Sequence, residues 1–215
     1  MSRLLLASFL MLASTLSVAD ELPNAPDKVQ PILLSLKMPD ANVVSLQGKA
    51  TSLSAVAAGK PMILVFYRGG WCPYCNVQLS DLRLIQKQTD ALGFQMVGVS
   101  PDTPTELNRT IDKQKLEYTL ISDSKANAMR AFGIAYRLDD KTVEKYKEYD
   151  IDLERSSGET HHGLPVPSVF IIDAQGIVQF SYVNPDYKAR VPSSVVLAAA
   201  EAIAKQQQYV KPNKK

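Results

Sequence analysis

Nine consecutive residues, YRGGWCPYC at 67–75, hold both cysteines of the chain, its only tryptophan and two adjacent glycines. Two thiols separated by two residues suit one kind of chemistry. One sulfur attacks as the thiolate, and the other reaches back to close a small ring and resolve the adduct. A chain of 215 residues with two cysteines is not a disulfide-stapled scaffold, so the pair is either one small-loop bridge or a working dithiol. The flanking residues show how attack is promoted. PMILVFY, from Pro61, is a continuous apolar run rich in β formers, the mark of a strand buried on both faces. Arg68-Gly69-Gly70 stops it, and Cys72-Pro73-Tyr74-Cys75 opens a helix, with Pro73 suited to the first helical position. The sulfurs therefore stand at a helix N-terminus, where unpaired N–H groups and the dipole favour an anion. A reversible Cys72–Cys75 disulfide follows as the expectation, with at least one thiol titrating below its ordinary value.

The elements that must hold this segment read as an alternation of strands and helices. Cys75, Leu79, Leu82, Ile85 and Leu92 recur at helical spacing until Gly93, and FQMVGVS is the next strand. Thr103-Pro104-Thr105-Glu106 is a capping box that starts a helix carrying Leu107 and Ile111. TLISD is a short strand, and Lys125 to Phe132 a short helix closed by Gly133. SVFIID and IVQFSYV make a hairpin around a turn at Asp173-Ala174-Gln175-Gly176, and Ser193 to Gln206 is an amphipathic closing helix. Before the dithiol, residues 20–39 form a proline-punctuated, extended lead-in with a short helical piece near Val29 to Leu36. ANVVSLQGKATSLSAV then gives a strand, a turn at Gly48 and a return segment. Residues 137–163 break the rhythm and are heavily charged, so they read as an inserted, solvent-facing helix and loop. The fold class is α/β: a central mixed β-sheet flanked by helices, with a charged insert before the last hairpin.

The chain opens MSRLLLASFLMLASTLSVAD, with a cationic start at Arg3, an apolar stretch from Leu4 to Leu16 and small residues at Ser17 and Ala19. That stretch is shorter than the roughly 18–20 residues that span a bilayer, so residues 1–19 read as a signal peptide cleaved after Ala19. The mature protein is expected in the periplasm or outside the cell, with no membrane attachment after cleavage. One domain spans 40–208, and 209–215 form a basic tail. The formal charge of +2, which falls to +1 without Arg3, gives no reason to expect nucleic acid as a partner.

WCPYC resembles the thioredoxin and glutaredoxin active site, and Val166-Pro167 before SVFIID resembles the thioredoxin cis-proline that faces the dithiol. The wider frame, from VVSLQGK through FYRGGWCPYCNVQLSDL to FQMVGVSPDTP, is similar to the peroxiredoxin and alkyl-hydroperoxide-reductase superfamily, in its branch carrying C-x-x-C. The resemblance implies a thioredoxin-like fold, a hydroperoxide substrate, electrons from a thioredoxin-like protein or a small thiol, and no cofactor or metal. It places Cys75 where the peroxidatic cysteine sits and Cys72 where the family has threonine. Arg68 falls where it has proline, and Pro167 where its second-strand arginine would be. The peroxide-orienting hydroxyl and guanidinium are thus missing from their usual places. Arg68 is then either a substitute cation or a surface arginine at a strand end.

Around the pair, Trp71 reads as a rim residue shaping a docking surface or as plain core, and Tyr74 as exposed. His161-His162 in the insert read as solvated, with shielding of the site or metal binding as the other use. Two rival functions share these residues. One is a thioredoxin-type protein disulfide reductase, attacking through Cys72. The other is a Cu(I) chaperone holding copper with two thiolates and His161 or His162.

Overall fold

The computed structural model describes residues 21–210; the leader read at 1–19 and the tail beyond 210 lie outside them. Two short strands, β1 (Asn42–Val44) and β2 (Ala50–Ser52), form the hairpin expected around Gly48 and lead into α1 (Leu53–Ala57). Next come β3 (Met62–Phe66), α2 (Pro73–Arg83), α3 (Gln86–Ala91), β4 (Gln95–Ser100), α4 (Pro104–Gln114), β5 (Thr119–Ser122) and α5 (Asn127–Ala131). The chain finishes with β6 (Ala135–Arg137), α6 (Asp140–Glu148), α7 (Leu153–Ser157), β7 (Gly163–Pro165), β8 (Ser168–Ile172), β9 (Val178–Val183) and α8 (Ser193–Val210).

Seven strands make one mixed sheet in the order β2-β1-β5-β4-β3-β8-β9, and β6 pairs with β7 apart from it. Strand β3 lies deep in the sheet, parallel to β4 on one side and antiparallel to β8 on the other. All five of its residues are at most 1% exposed, as its unbroken apolar run requires. Met62, Leu64 and Phe66 point into one core with Phe132 and Phe170. Ile63, Val65 and Tyr67 point into the other, with both cysteines, Leu79 and Leu82. The dithiol thus rests on one of the two cores, just past the end of a strand paired on both sides. No helix among the described residues is long and apolar enough to cross a membrane.

Several local signals act as the sequence implies. Thr103 caps α4 by accepting the Glu106 N–H, although Glu106 turns to Arg109 and the Thr103 N–H goes to Ser156 O. Asp173 organises its turn by accepting the Gln175 and Ile177 N–H groups. The long helical pattern after Cys75 is split at Leu84–Ile85, which turns the exposed Leu84 outward and buries Ile85.

Two expectations are corrected. No helix forms over 29–36; the lead-in has a single 3-10 turn at Pro26–Lys28 and then lies along the β8–β9 hairpin. The Ser35 N–H donates to Val178 O, the Val178 N–H donates to Leu36 O, and the Met38 N–H donates to Gly176 O. Pro31 cannot donate in a helix, and pairing with the sheet satisfies the backbone instead. The insert is not simply solvent-facing either. Asp139 caps α6 and Asp152 caps α7, but Val143 and Leu153 are buried in the core. The apolar positions within that charged stretch anchor it to the fold.

Candidate active site

Cys72 is the N-cap of α2 and Pro73 its first residue, so the local sequence fixes the helix start as expected. The loop before it is held from three sides. Asp102 accepts the Gly70 N–H at 2.7 Å, the Asn76 side chain donates to Gly70 O at 2.8 Å, and the Cys72 N–H bonds Gly69 O at 3.1 Å. Glycine is required at both loop positions. A side chain at Gly70 would meet Thr110 Oγ1 at 2.0 Å, and Gly69, at φ +150°, would meet the Trp71 indole at 2.2 Å.

Both sulfurs are reduced and buried, Cys72 at 1% exposure and Cys75 at 0%. They differ sharply in charge preference. The Cys75 thiol, donating to Cys72, is the main force that lowers the Cys72 pKa to about 6, with smaller help from Arg68 and Arg190 against the cost of burial. Burial pushes the Cys75 thiol up, and the neighbouring sulfur adds to the rise. At neutral pH the pair therefore holds one negative charge, resting on Cys72, with the Cys75 proton shared toward it. Alkylation of the reduced protein should show a thiolate titrating near pH 6. Cys75→Ala should move that inflection upward toward an ordinary thiol, and an unmoved inflection would rule out the thiol–thiolate bond as its cause.

Arg68 is not a surface residue: it is 2% exposed. Its guanidinium lies 5.1 Å from the Trp71 ring centre, 5.7 Å from that of Tyr146 and 4.4 Å from that of Tyr187, and it donates to the Tyr146 hydroxyl at 2.5 Å. Cation–π contacts on several faces let a cation be buried without an acid beside it. Trp71 packs edge-on against Tyr146 and partly against both cores. Tyr74, 41% exposed as expected, packs edge-on against Tyr187.

Sequence reasoning missed five residues that complete the site. Arg190, on the loop between β9 and α8, approaches Cys75 Sγ through Nη2 at 3.5 Å and Gln78 Oε1 through Nη1 at 3.2 Å. Tyr187 comes from the same loop. Asp81 of α2 pins that loop by accepting the N–H and hydroxyl of Ser193, both at 2.8 Å. Tyr146 reaches the site from the insert. Asp102 closes the list: it lines a cavity of about 590 Å³ beside Trp71, and burial raises its carboxyl to about 7. An aspartate two residues after FQMVGVS was the available signal for the last; the others leave no local one.

Pro167 departs from expectation. There is no cis peptide bond among the described residues, so Val166–Pro167 is trans. The segment runs extended from β7 into β8, with the Val166 N–H bonded to Ile134 O and Pro167 O accepting the Asn184 N–H. That continuity leaves no reversal for a cis bond to make. The histidines are likewise engaged elsewhere. His161 bonds Ser124 O and the Gly163 N–H, and His162 bonds Glu154. No cluster of three metal-type ligands occurs among the described residues, so the structure does not bring either histidine to the sulfurs.

A mixed sheet with a buried dithiol at the start of the helix after an interior strand defines the thioredoxin-fold class of thiol oxidoreductases. Comparison with known proteins narrows it. The AhpC/TSA family profile matches residues 34–181, and the chain belongs to that family. Peroxiredoxin Bcp of Escherichia coli is 29% identical over 139 residues, covering 65% of this chain and 77% of that protein. Chloroplastic peroxiredoxin Q of Populus jackii is 26% identical over 146 residues, 68% of this chain and 58% of that one. Among solved structures, peroxidoxin BcpB of Mycobacterium tuberculosis superposes with a TM-score of 0.60 at 19% identity, over 79% of this chain and 97% of that one. Peroxiredoxin 6 of Arenicola marina reaches 0.67 at 16% identity, over 82% and 76%. The chain is a thiol-dependent peroxidase of the peroxiredoxin type.

Proposed function

We propose that this protein is an exported thiol oxidoreductase that reduces hydroperoxides by cycling Cys72 and Cys75 between dithiol and disulfide. The observation that carries this reading is the shared charge of the two sulfurs beside the Arg190 guanidinium. Cys72, as thiolate, takes the Cys75 proton. Cys75 then attacks the distal peroxide oxygen, forming a sulfenic acid and expelling an alkoxide, which Arg190 faces as it forms. The alkoxide recovers the proton from Cys72 and leaves as the alcohol. The regenerated Cys72 thiolate attacks the Cys75 sulfur, the disulfide closes, and the hydroxide released carries the site's negative charge into solvent, where a buffer proton converts it to water. A thioredoxin-like protein or a small thiol returns two electrons. Arg190 thus takes the place of the family's strand arginine, whose position Pro167 occupies.

Export belongs to the same reading and rests on residues 1–19; it requires a mature chain that begins at Asp20. The thioredoxin-type alternative is favoured by the thiolate on Cys72, but the trans Val166–Pro167 bond and two buried sulfurs speak against a protein disulfide as substrate.

Single-turnover mixing of reduced protein with one equivalent of hydroperoxide tests the proposal. One alcohol per chain should form and both thiols should disappear together, following the fluorescence change of Trp71. Loss of one thiol per peroxide, or no consumption within minutes, would overturn the dithiol cycle.

A further inference from the structure

We propose that the disulfide form of this site is reopened by a small thiol that carries carboxylate groups; the inference rests on the dithiol cycle proposed above. It starts from two cations without acids. Among the described residues neither Arg68 nor Arg190 has a carboxylate partner: Arg68 bonds the hydroxyls of Tyr146 and Tyr136, and Arg190 bonds Gln78 and Cys75. Each retains a buried Nε–H with no acceptor. A buried guanidinium ordinarily finds an anion or a full set of acceptors. Here the aromatic rings around Arg68 make the omission tolerable, and the negative charge that acts on both guanidiniums is the Cys72 thiolate.

That charge depends on redox state. In the reduced site one thiolate stands against two guanidiniums, and that is the state a hydroperoxide meets. Closing the Cys72–Cys75 bond removes the thiolate and leaves both cations uncompensated. The molecule that meets the site in this state is the reductant, and a carboxylate is the group whose paired oxygens fit a guanidinium fork. Smallness follows from burial, since both sulfurs lie beneath the loop carrying Tyr187 and Arg190 and offer almost no surface to a docked protein.

The chemistry balances. A first thiolate R′S⁻ attacks one sulfur of the disulfide, giving a mixed disulfide and the other cysteine thiolate. A second R′S⁻ attacks the R′ sulfur, releasing R′SSR′ and the second cysteine. Two thiols are oxidised, the protein disulfide is reduced, and the two protons they surrender are shared between dithiol and solvent.

The test uses the full chain, oxidised to the disulfide with a stoichiometric azo-dicarboxamide so that formation does not depend on peroxide. Reopening is followed by Trp71 fluorescence with mercaptoacetate, 2-mercaptoethanol and cysteamine. Each rate is taken per thiolate and divided by that of the same thiol with an uncharged small disulfide. At low salt mercaptoacetate should outpace cysteamine by about ten- to a hundredfold, the preference shrinking as salt is raised. Arg68→Met and Arg190→Met should each cut the ratio. If either variant fails to fold, the salt dependence of the unaltered protein decides alone. A ratio near one at low salt overturns the proposal and leaves the dithiol cycle standing. Failure to form the disulfide at all overturns both.

Discussion

In Cys75→Ser the reaction with hydroperoxide is expected to fall by on the order of a thousandfold or more, because the attacking sulfur itself is gone. In Cys72→Ser the same reaction should persist, slowed about ten- to a hundredfold by loss of the thiolate that accepts the Cys75 proton, and should halt at a sulfenic acid on Cys75. The asymmetry is not what thiolate population alone dictates. Cys72 carries the charge at rest, its pKa lowered to about 6 chiefly by the Cys75 thiol. Cys75, however, has the guanidinium of Arg190 at 3.5 Å, where an alkoxide would develop, and its proton is already directed at a base. Proton exchange between adjacent sulfurs is fast beside peroxide attack, so the reactive microstate need not be the populated one. Trapping with a sulfenic-acid reagent and peptide mass analysis decides the matter. A sulfenic acid found on Cys72 in the Cys75→Ser protein, at the full peroxide rate, would transfer the attack to Cys72.

The second large effect concerns stability against pH. Asp102 and Asp123 both have carboxyls raised to about 7, in each case chiefly by burial. Between about pH 4 and 7 the folded protein keeps these protons while the unfolded chain has released them. Stability should therefore be fully present below the unfolded value of 3.8 and decline as pH rises toward 7, at up to about 1.4 kcal/mol per pH unit for each group. Cys72 acts in the next window and with the opposite sign. Its depressed pKa gives stability that is present above the ordinary thiol value of 9.0 and lost as pH falls toward about 6. Asp102→Asn keeps an oxygen to accept the Gly70 N–H and removes the titration, so it should stabilise the protein at pH 7 and leave it unchanged near pH 4. Asp123→Asn should not imitate it. Asp123 accepts the Ala128 N–H with one oxygen and the Met129 N–H with the other, and an amide nitrogen cannot replace either. Denaturant midpoints across pH 4–8 read both outcomes. Equal slopes for Asp102→Asn and the parent would remove Asp102 as a source of the decline.

These residues also show which parts of the molecule the sequence could disclose. Strand β3, the start of α2, the Thr103 cap and the Asp173 turn are written in residues that touch their sequence neighbours, and periodicity or capping reports them directly. The dithiol was legible for the same reason, because strand, turn, proline and both sulfurs are contiguous. Arg68 was visible but its burial was not, since the rings that enclose it arrive from the α2 loop, from α6 and from the segment before α8. Arg190 lies 115 positions from the sulfur it meets, and Tyr146 lies 78 from Arg68. No spacing rule spans such gaps, and Arg190 falls beyond the residues 34–181 that the family profile covers. The cis bond at Pro167 came from resemblance alone, and the course of the chain from β7 into β8 does not need it. The helix expected over 29–36 does not form, because Pro31 cannot donate and the sheet edge supplies the backbone's partners.

The distance in sequence between Arg190 and Cys75 has a consequence for how the protein is made. Synthesis delivers the two cysteines long before residue 190, so a growing chain carries thiols that do not yet have their guanidinium neighbour. The loop that supplies it is fixed only when Ser193, at the head of α8, docks on Asp81. The guanidinium beside Cys75 is therefore among the last parts of the site to be put in place, and an unfinished chain carries the two thiols without it.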